Sequence, residues 1–418
     1  MPFFSNIIKD RQRAREEIRK LAKKNGIFPA SLHHLYLAYG RGKLGGFIAP
    51  AFNLRFLTYD TARIIFRLVN QLKIGLFIFE TARSEQKYTD QTPDEYAVVI
   101  MAAAIAENYQ GPIFLQGDHY QFSRPHFQKD PKSEIDKIKT LIKKSVEAGF
   151  YNIDVDASTL VDLSRESLDD QQIDNYMMTA LMTKYIREIE PPGVTVSIGG
   201  EIGHIGGKNS TVQEFEIFMR GYIKEVLNSK SEIPNKFQIQ PPKSKIQGLS
   251  KISVQTGTSH GGTVLPNGKI AKANIDFEVL KTISKVARKK YGLGGVVQHG
   301  ASTLPNELFD QFPKIGTLEI HLGTEFQNIV FNYLPEKLRG EIYSWIHKQY
   351  KNEWKVNISE NQFIYKIRKK AAGPFKKRLW QMSEQEKKPI LTNLEKQFRL
   401  LFEKLKVVNT KRIVEKFI

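Results

Sequence analysis

Three histidines close short apolar runs: Gln116-Gly-Asp118-His119, Gly257-Thr-Ser-His260-Gly-Gly and Gln298-His299-Gly-Ala-Ser302. Neutral imidazole suits zinc, and three protein ligands with one open position are what a catalytic Zn²⁺ site requires. Asp118 would then be a proton carrier beside the metal. Glycine follows two of these histidines, at Gly261 and Gly300, and lets a ligand approach the backbone closely. Exposed N–H groups together with the Ser302 hydroxyl can cradle a phosphate. Taken singly, each motif also reads as a tight turn, a capping Asp or a buried His. Their recurrence at equivalent places favours a metal-plus-phosphate site.

Other polar residues extend this set. Asp156, in Ile153-Asp-Val-Asp156-Ala, and Glu201, in Gly199-Gly-Glu201-Ile-Gly, could approach the metal or its water, or cap the helix that follows. His204 is either a further ligand or a free loop histidine. His321, in Ile320-His-Leu-Gly323-Thr324, falls where many barrels bind phosphate through backbone amides. There Gly323 and Thr324 suit the task and the imidazole could add a donor. The pair His33-His34 reads as structural, and His126 and His347 have no persuasive partners.

Such residues act together only if a scaffold gathers them. Eight β-like runs, Phe47–Asn53, Ile74–Thr81, Ile113–Asp118, Tyr151–Ser158, Thr195–Gly203, Ile252–Gly257, Val296–Ser302 and Gly316–Thr324, alternate with helical stretches such as Thr61–Leu72, Pro93–Tyr109 and Pro305–Phe312. That alternation predicts an α/β chain with a (β/α)₈ TIM barrel over residues 47–330. A helical segment, 1–46, precedes it, and a basic helical extension, 331–418, follows. The polar candidates then fall at the C-terminal ends of strands, where barrel enzymes place their chemistry. Asp118 and His119 end their run, so a turn at Gly117 is expected to bring both to the mouth. Asn228–Ser250, with Pro234 and Pro241-Pro242, reads as an irregular insertion. Trp345, Trp354 and Trp380 all lie beyond the barrel and are expected to pack against it or against another subunit.

Composition sets bounds on function. The 418 residues are 41% hydrophobic and contain no cysteine, which excludes disulfides and thiolate ligands and leaves His, Asp and Glu to hold a metal. No apolar run approaches the ~20 residues that cross a bilayer, so a cytoplasmic, membrane-free protein is the default. The net charge of +19 lies wholly in the flanks: residues 1–46 carry ten Lys/Arg against three Asp/Glu, and 331–418 carry 21 against nine. The middle balances at zero, and no nucleic-acid motif accompanies the charge, so nucleic acid is not expected as a partner.

These motifs resemble those of the class II, zinc-dependent ketose-bisphosphate aldolases, over roughly Phe47 to Asn328. Pro50-Ala-Phe-Asn53 is similar to that family's first-strand motif, Asp118-His119 to its base-plus-ligand dipeptide, and His260-Gly and His299-Gly-Ala-Ser302 to its other ligands and phosphate loop. The resemblance implies that His119, His260 and His299 hold Zn²⁺ or another divalent metal, and that Asp118 moves the proton of the C4 hydroxyl. It further implies that Asn53, Gly261, Gly300, Ser302 and Thr324 contact a phosphorylated sugar, with Asp156 and Glu201 near a mobile metal. A homo-oligomer, dimer or tetramer, is also implied. Phe79–Gln86 and Thr92–Glu95 resemble instead the non-catalytic subunit of tagatose-bisphosphate aldolase, so a silent partner of another aldolase is the alternative. Two features depart from the family: the loop after Gly206-Gly207 lacks its glutamate, leaving Glu214 or Glu216 as substitutes, and His321 and Gly323 stand where Asn and Asp are usual.

Overall fold

A computed structural model describes residues 2–203, 208–227, 248–258, 262, 264–268, 271 and 275–418, with residues 2–9 as backbone only. Among the described residues nine strands run in parallel: β1 Ile27–Pro29, β2 Ala49–Asn53, β3 Ile78–Ala82, β4 Gly111–Gln121, β5 Asn152–Asp156, β6 Ser197–Glu201, β7 Lys251–Val254, β8 Val296–Gln298 and β9 Glu319–Leu322. β2 through β9 close into a (β/α)₈ barrel, with Ala49 opposite Glu319 and Phe52 opposite Leu322 at the closing seam. Helices cover the outside and side chains fill the inside, so β2, β3, β5 and β6 are buried at every residue. All eight expected strands are present, most within narrower bounds, while β4 runs beyond its expected range at both ends. β1 was not expected, since three residues are too few to show a period; it pairs with Gly111–Ile113 at the start of β4.

Helices Thr58–Leu72, Pro93–Ala106, Pro131–Glu147, Leu168–Ile189, Val212–Leu227 and Phe277–Tyr291 carry the chain from strand to strand. Local chemistry fixes their starts. The Thr92 hydroxyl accepts from Glu95 N at 3.2 Å and Asp130 from Ser133 N at 3.0 Å, each followed by a proline whose missing N–H costs nothing in the first turn. The stretch Pro305–Phe312 is not one helix as expected. It is a 3₁₀ turn, Asn306–Leu308, and then a short helix, Gln311–Ile315, because Pro313 is tolerated only in a first turn.

Both basic flanks join the barrel. Helix Pro2–Lys24 lies on Pro93–Ala106, with Arg15 and Arg19 at 2.8 and 2.6 Å from Asp94. Helix Glu384–Lys404 packs on Thr58–Leu72 and sets Phe398 and Phe402 edge-on to Phe52, with ring centroids 5.1 and 5.7 Å away. Ile48 N donates to Leu405 O at 3.1 Å, which ties the C-terminal segment to the chain just before β2. Trp345 packs on Tyr350 and Phe375, whereas Trp380 is 60% exposed. Among the described residues no helix is long and apolar enough to cross a membrane.

His33 is buried and its Nδ1 finds no hydrogen-bond partner. Burial, seconded by the Arg187 charge, lowers its pKa to about 3. The folded chain therefore keeps this ring neutral, while the unfolded chain protonates it near 6.5. Its contribution to stability is full above about pH 6.5 and is lost as pH falls toward 3, at about 1.4 kcal/mol per unit. Thermal melts between pH 7.5 and 5.5 should show a steeper loss of Tm in the wild type than in His33→Leu. Equal slopes would place the acid sensitivity elsewhere.

Candidate active site

β4 does not end at Gly117. It continues to Gln121 through a bulge: Gly117 pairs with Ile153 and Tyr120 with Val155, so three steps on β4 match two on β5. The extra residue re-aims the side chains, and His119 takes a left-handed φ of +43°. Gly117 is required here because a Cβ would run into the Tyr120 ring that folds back over it. The expected strand end is thus corrected to a bulge, which still delivers both Asp118 and His119 to the mouth.

The His119 and His299 rings lie 4.2 Å apart, centroid to centroid. Donor atoms of Asp118, His119 and His299 fall within 4.8 Å of one another, as do those of His119, Asp156 and Glu201. His119 Nδ1 is 3.0 Å from Asp156 and 3.1 Å from Glu201, and His299 Nε2 is 2.8 Å from the Ser253 hydroxyl. Imidazoles meeting carboxylates without thiolates form a donor set that fits zinc or a similar divalent ion. His260, Gly261 and His204 lie outside the described residues.

The electrostatics are strongly coupled. Burial opposes charge on His119, but Asp118, Glu201 and Asp156 outweigh it and raise its pKa well above the usual value. Burial likewise opposes the Asp118 carboxylate, yet His119, His321 and His299 hold it well below the ordinary range. Burial, with Asp156 beside it, pushes Glu201 up to about 7.

Asp118 is held from two sides: Asn53 Nδ2 donates to it at 3.1 Å, and His321 Nδ1 lies 3.1 Å away. The position of His321 departs from the expectation of a phosphate ligand. Its ring is buried inside the barrel, with Nδ1 also 3.2 Å from Glu80 and Nε2 2.6 Å from Glu319. Below it Lys251 Nζ contacts Glu319 at 2.6 Å, Gln116 at 2.7 Å and Asp154 at 2.9 Å, and Tyr36 OH donates to Glu319. Burial works against the Glu319 carboxylate, but Lys251 first and then His321 lower it to about 2.

At the next strand ends, Gly300 has φ +67°, and the Ser302 hydroxyl accepts from Thr324 N at 3.1 Å, so the residues expected to cradle phosphate meet across β8 and β9. An added Cβ at Gly323 would stand 3.0 Å from both Arg55 Nη2 and Asn53 Cβ, a tight fit that would push on both neighbours. Glu214 and Glu216 are both engaged away from this site. Glu214 caps its own helix through Thr211 N at 2.8 Å, and Glu216 pairs with Lys290 at 2.6 Å. Glu80, Asp154, Lys251, Ser253, Glu319 and Arg55 were not singled out from sequence. The usable signal was period 2, which sets Asp154 on the face of Asp156, and Glu319 on that of His321.

Residues 39–387 match the family described as class II fructose-bisphosphate aldolase. Among solved structures the chain is similar to a fructose-bisphosphate aldolase from Campylobacter jejuni, at 16% identity and TM-score 0.51, covering 92% of this chain and 97% of that one. It is also similar to a probable tagatose 6 phosphate kinase from Sinorhizobium meliloti 1021, at 11% identity and TM-score 0.55, covering 88% and 98%. A putative fructose-1,6-biphosphate aldolase from Coccidioides immitis matches at 15% identity and TM-score 0.50, covering 90% and 97%. At these identities the structural likeness speaks for the fold.

Proposed function

The chain belongs to the class II fructose-bisphosphate aldolase family, a group of carbon–carbon lyases, and from that premise we propose that it cleaves and forms a phosphorylated ketose of the fructose- or tagatose-bisphosphate type. The observation that carries this reading is the convergence of His119, His299, Asp118, Asp156 and Glu201 at the barrel mouth. His119 and His299, joined by His260, would hold Zn²⁺, which would supply Lewis-acid polarisation of the ketone. Asp118 takes the proton of the C4 hydroxyl as the C3–C4 bond breaks, and returns it in condensation. Asn53 and His321 keep the Asp118 carboxylate anionic and aimed. Asp156 and Glu201 orient His119, with Glu201 as the second catalytic carboxylate. Gly300, Ser302, Gly323 and Thr324, with Gly261, receive the phosphate at the ketone end. A homodimer or homotetramer in the cytoplasm belongs to the same reading.

Metal analysis joined to an aldol-cleavage assay tests it. About one Zn²⁺ per chain is expected, with cleavage of fructose or tagatose bisphosphate that a chelator abolishes and added zinc restores. A purified chain with no divalent metal and no cleavage of any ketose phosphate would transfer the weight to a silent subunit of a partner aldolase.

A further inference from the structure

The chain that follows β7 is fastened at two places. Near the strand, the Thr258 hydroxyl donates to His299 O at 2.8 Å and accepts from Gln298 Nε2 at 2.9 Å, which ties it to the end of β8. Farther on, residues 265–268 make a tight turn in which Gly268, at φ +81°, donates its N–H to Leu265 O at 2.8 Å. That turn rests on the C-terminal extension, so closely that a Cβ at Gly268 would meet Asn361 Cβ at 3.3 Å.

The start of helix Glu360–Ile367 makes this contact. Ser359 and Gln362 form a capping box there: Ser359 Oγ accepts from Gln362 N at 3.3 Å, and Gln362 Oε1 accepts from Ser359 N at 3.0 Å. Capping uses both side chains only as acceptors, so Asp and Glu would cap as well. What Ser and Gln add is one donor each, and both donors go to the loop. Ser359 Oγ donates to Pro266 O at 2.8 Å and Gln362 Nε2 to Val264 O at 2.7 Å. The helix is a firm post for this purpose: Phe363 is buried, Trp354 stacks on it with ring centroids 5.1 Å apart, and His347 Nε2 lies 2.8 Å from Glu360.

In sequence, His260 lies between the two fastenings, two residues after Thr258 and four before Val264. A ligand whose backbone is already placed binds a metal more tightly than one that must be ordered on binding. We propose that Ser359 and Gln362 are positioning residues for the metal ligand His260: by holding the carbonyls of Val264 and Pro266 they anchor the chain beyond it, and the C-terminal extension thereby raises the zinc affinity of the barrel site. This inference rests on the zinc-aldolase reading for its metal.

The test compares full-length wild type, Ser359→Thr and the double variant Ser359→Asp with Gln362→Glu. The double variant keeps both capping acceptors but sets carboxylates against the loop carbonyls, whereas Ser359→Thr keeps acceptor and donor alike. In competition with a chromogenic chelator, the zinc Kd should rise about tenfold in the double variant, the low end of what losing a ligand's supporting hydrogen bonds costs, and stay near the wild-type value in Ser359→Thr. Added negative charge attracts Zn²⁺, so it cannot account for a weaker affinity. Thermal melts of the metal-free chains should coincide because the cap is retained, while amide exchange over residues 264–268 should quicken in the double variant. If the double variant melts early, Gln362→Glu alone carries the same comparison. An unchanged zinc Kd, or unchanged exchange, overturns the proposal. A wild type that takes up no zinc counts against the metal reading, while the exchange rates still judge whether Ser359 and Gln362 hold the loop.

Discussion

Asp118→Asn should lower kcat for ketose bisphosphate cleavage by about 10²–10⁴-fold, the usual worth of a positioned general base, while bound zinc stays near the wild-type amount. The substitution keeps side-chain volume in a position only 5% exposed, so it removes charge and basicity without opening a cavity. Asn53 can still donate to the amide oxygen, but the contact with His321 Nδ1 at 3.1 Å loses its anionic partner. If Asp118 moves the C4 hydroxyl proton, the loss falls on kcat, with KM changed far less. A variant that keeps kcat within threefold would remove Asp118 from the reaction.

The second large effect lies beneath the site. Lys251 is 1% exposed and its ammonium serves Glu319, Asp154 and Gln116 together. Lys251→Met would leave those carboxylates buried without their cation, which costs about 3–5 kcal/mol. The urea midpoint should fall accordingly at pH 7, with little change in m-value. The deficit has a definite pH dependence. In the wild type, Lys251 and His321 hold Glu319 near 2 against burial, so that contribution is present above about pH 4.5 and is lost as pH falls toward 2. In the variant, burial raises the same carboxyl, and acidification neutralises the stranded charge. The gap between the two proteins should therefore narrow from pH 7 to pH 5; a gap that widens would mean the damage is packing rather than charge.

The barrel was legible because eight apolar runs and their helical spacers repeat, and a repeated period survives errors at individual boundaries. What could not be read was local and non-periodic. β1 is three residues long, and the helix at Arg83–Thr89 is short and partly polar. The bulge at Gly117–Tyr120 depends on how one tyrosine ring folds back, which no spacing announces. Within the site, an Asp-His dipeptide flagged His119 and a following glycine flagged His299, and the structure brings those two together. His321 was flagged by its place at the end of the eighth run and went elsewhere, because Glu80, Asp118 and Glu319 surround its ring inside the barrel. Charged residues inside apolar strands, such as Lys251 and Glu319, can be noticed in sequence, but pairing residues 68 positions apart requires the closed sheet.

The seating of Phe398 and Phe402 on Phe52 bears on how the protein is made. Phe52 is synthesised about 350 residues ahead of Phe398 and Phe402, which cover its outer face. At about 5–20 residues per second, that wait is roughly 20–70 s. Throughout it Phe52 has only Phe326 of its three aromatic neighbours, so a chain cut short before this helix would leave part of the outer face of β2 uncovered.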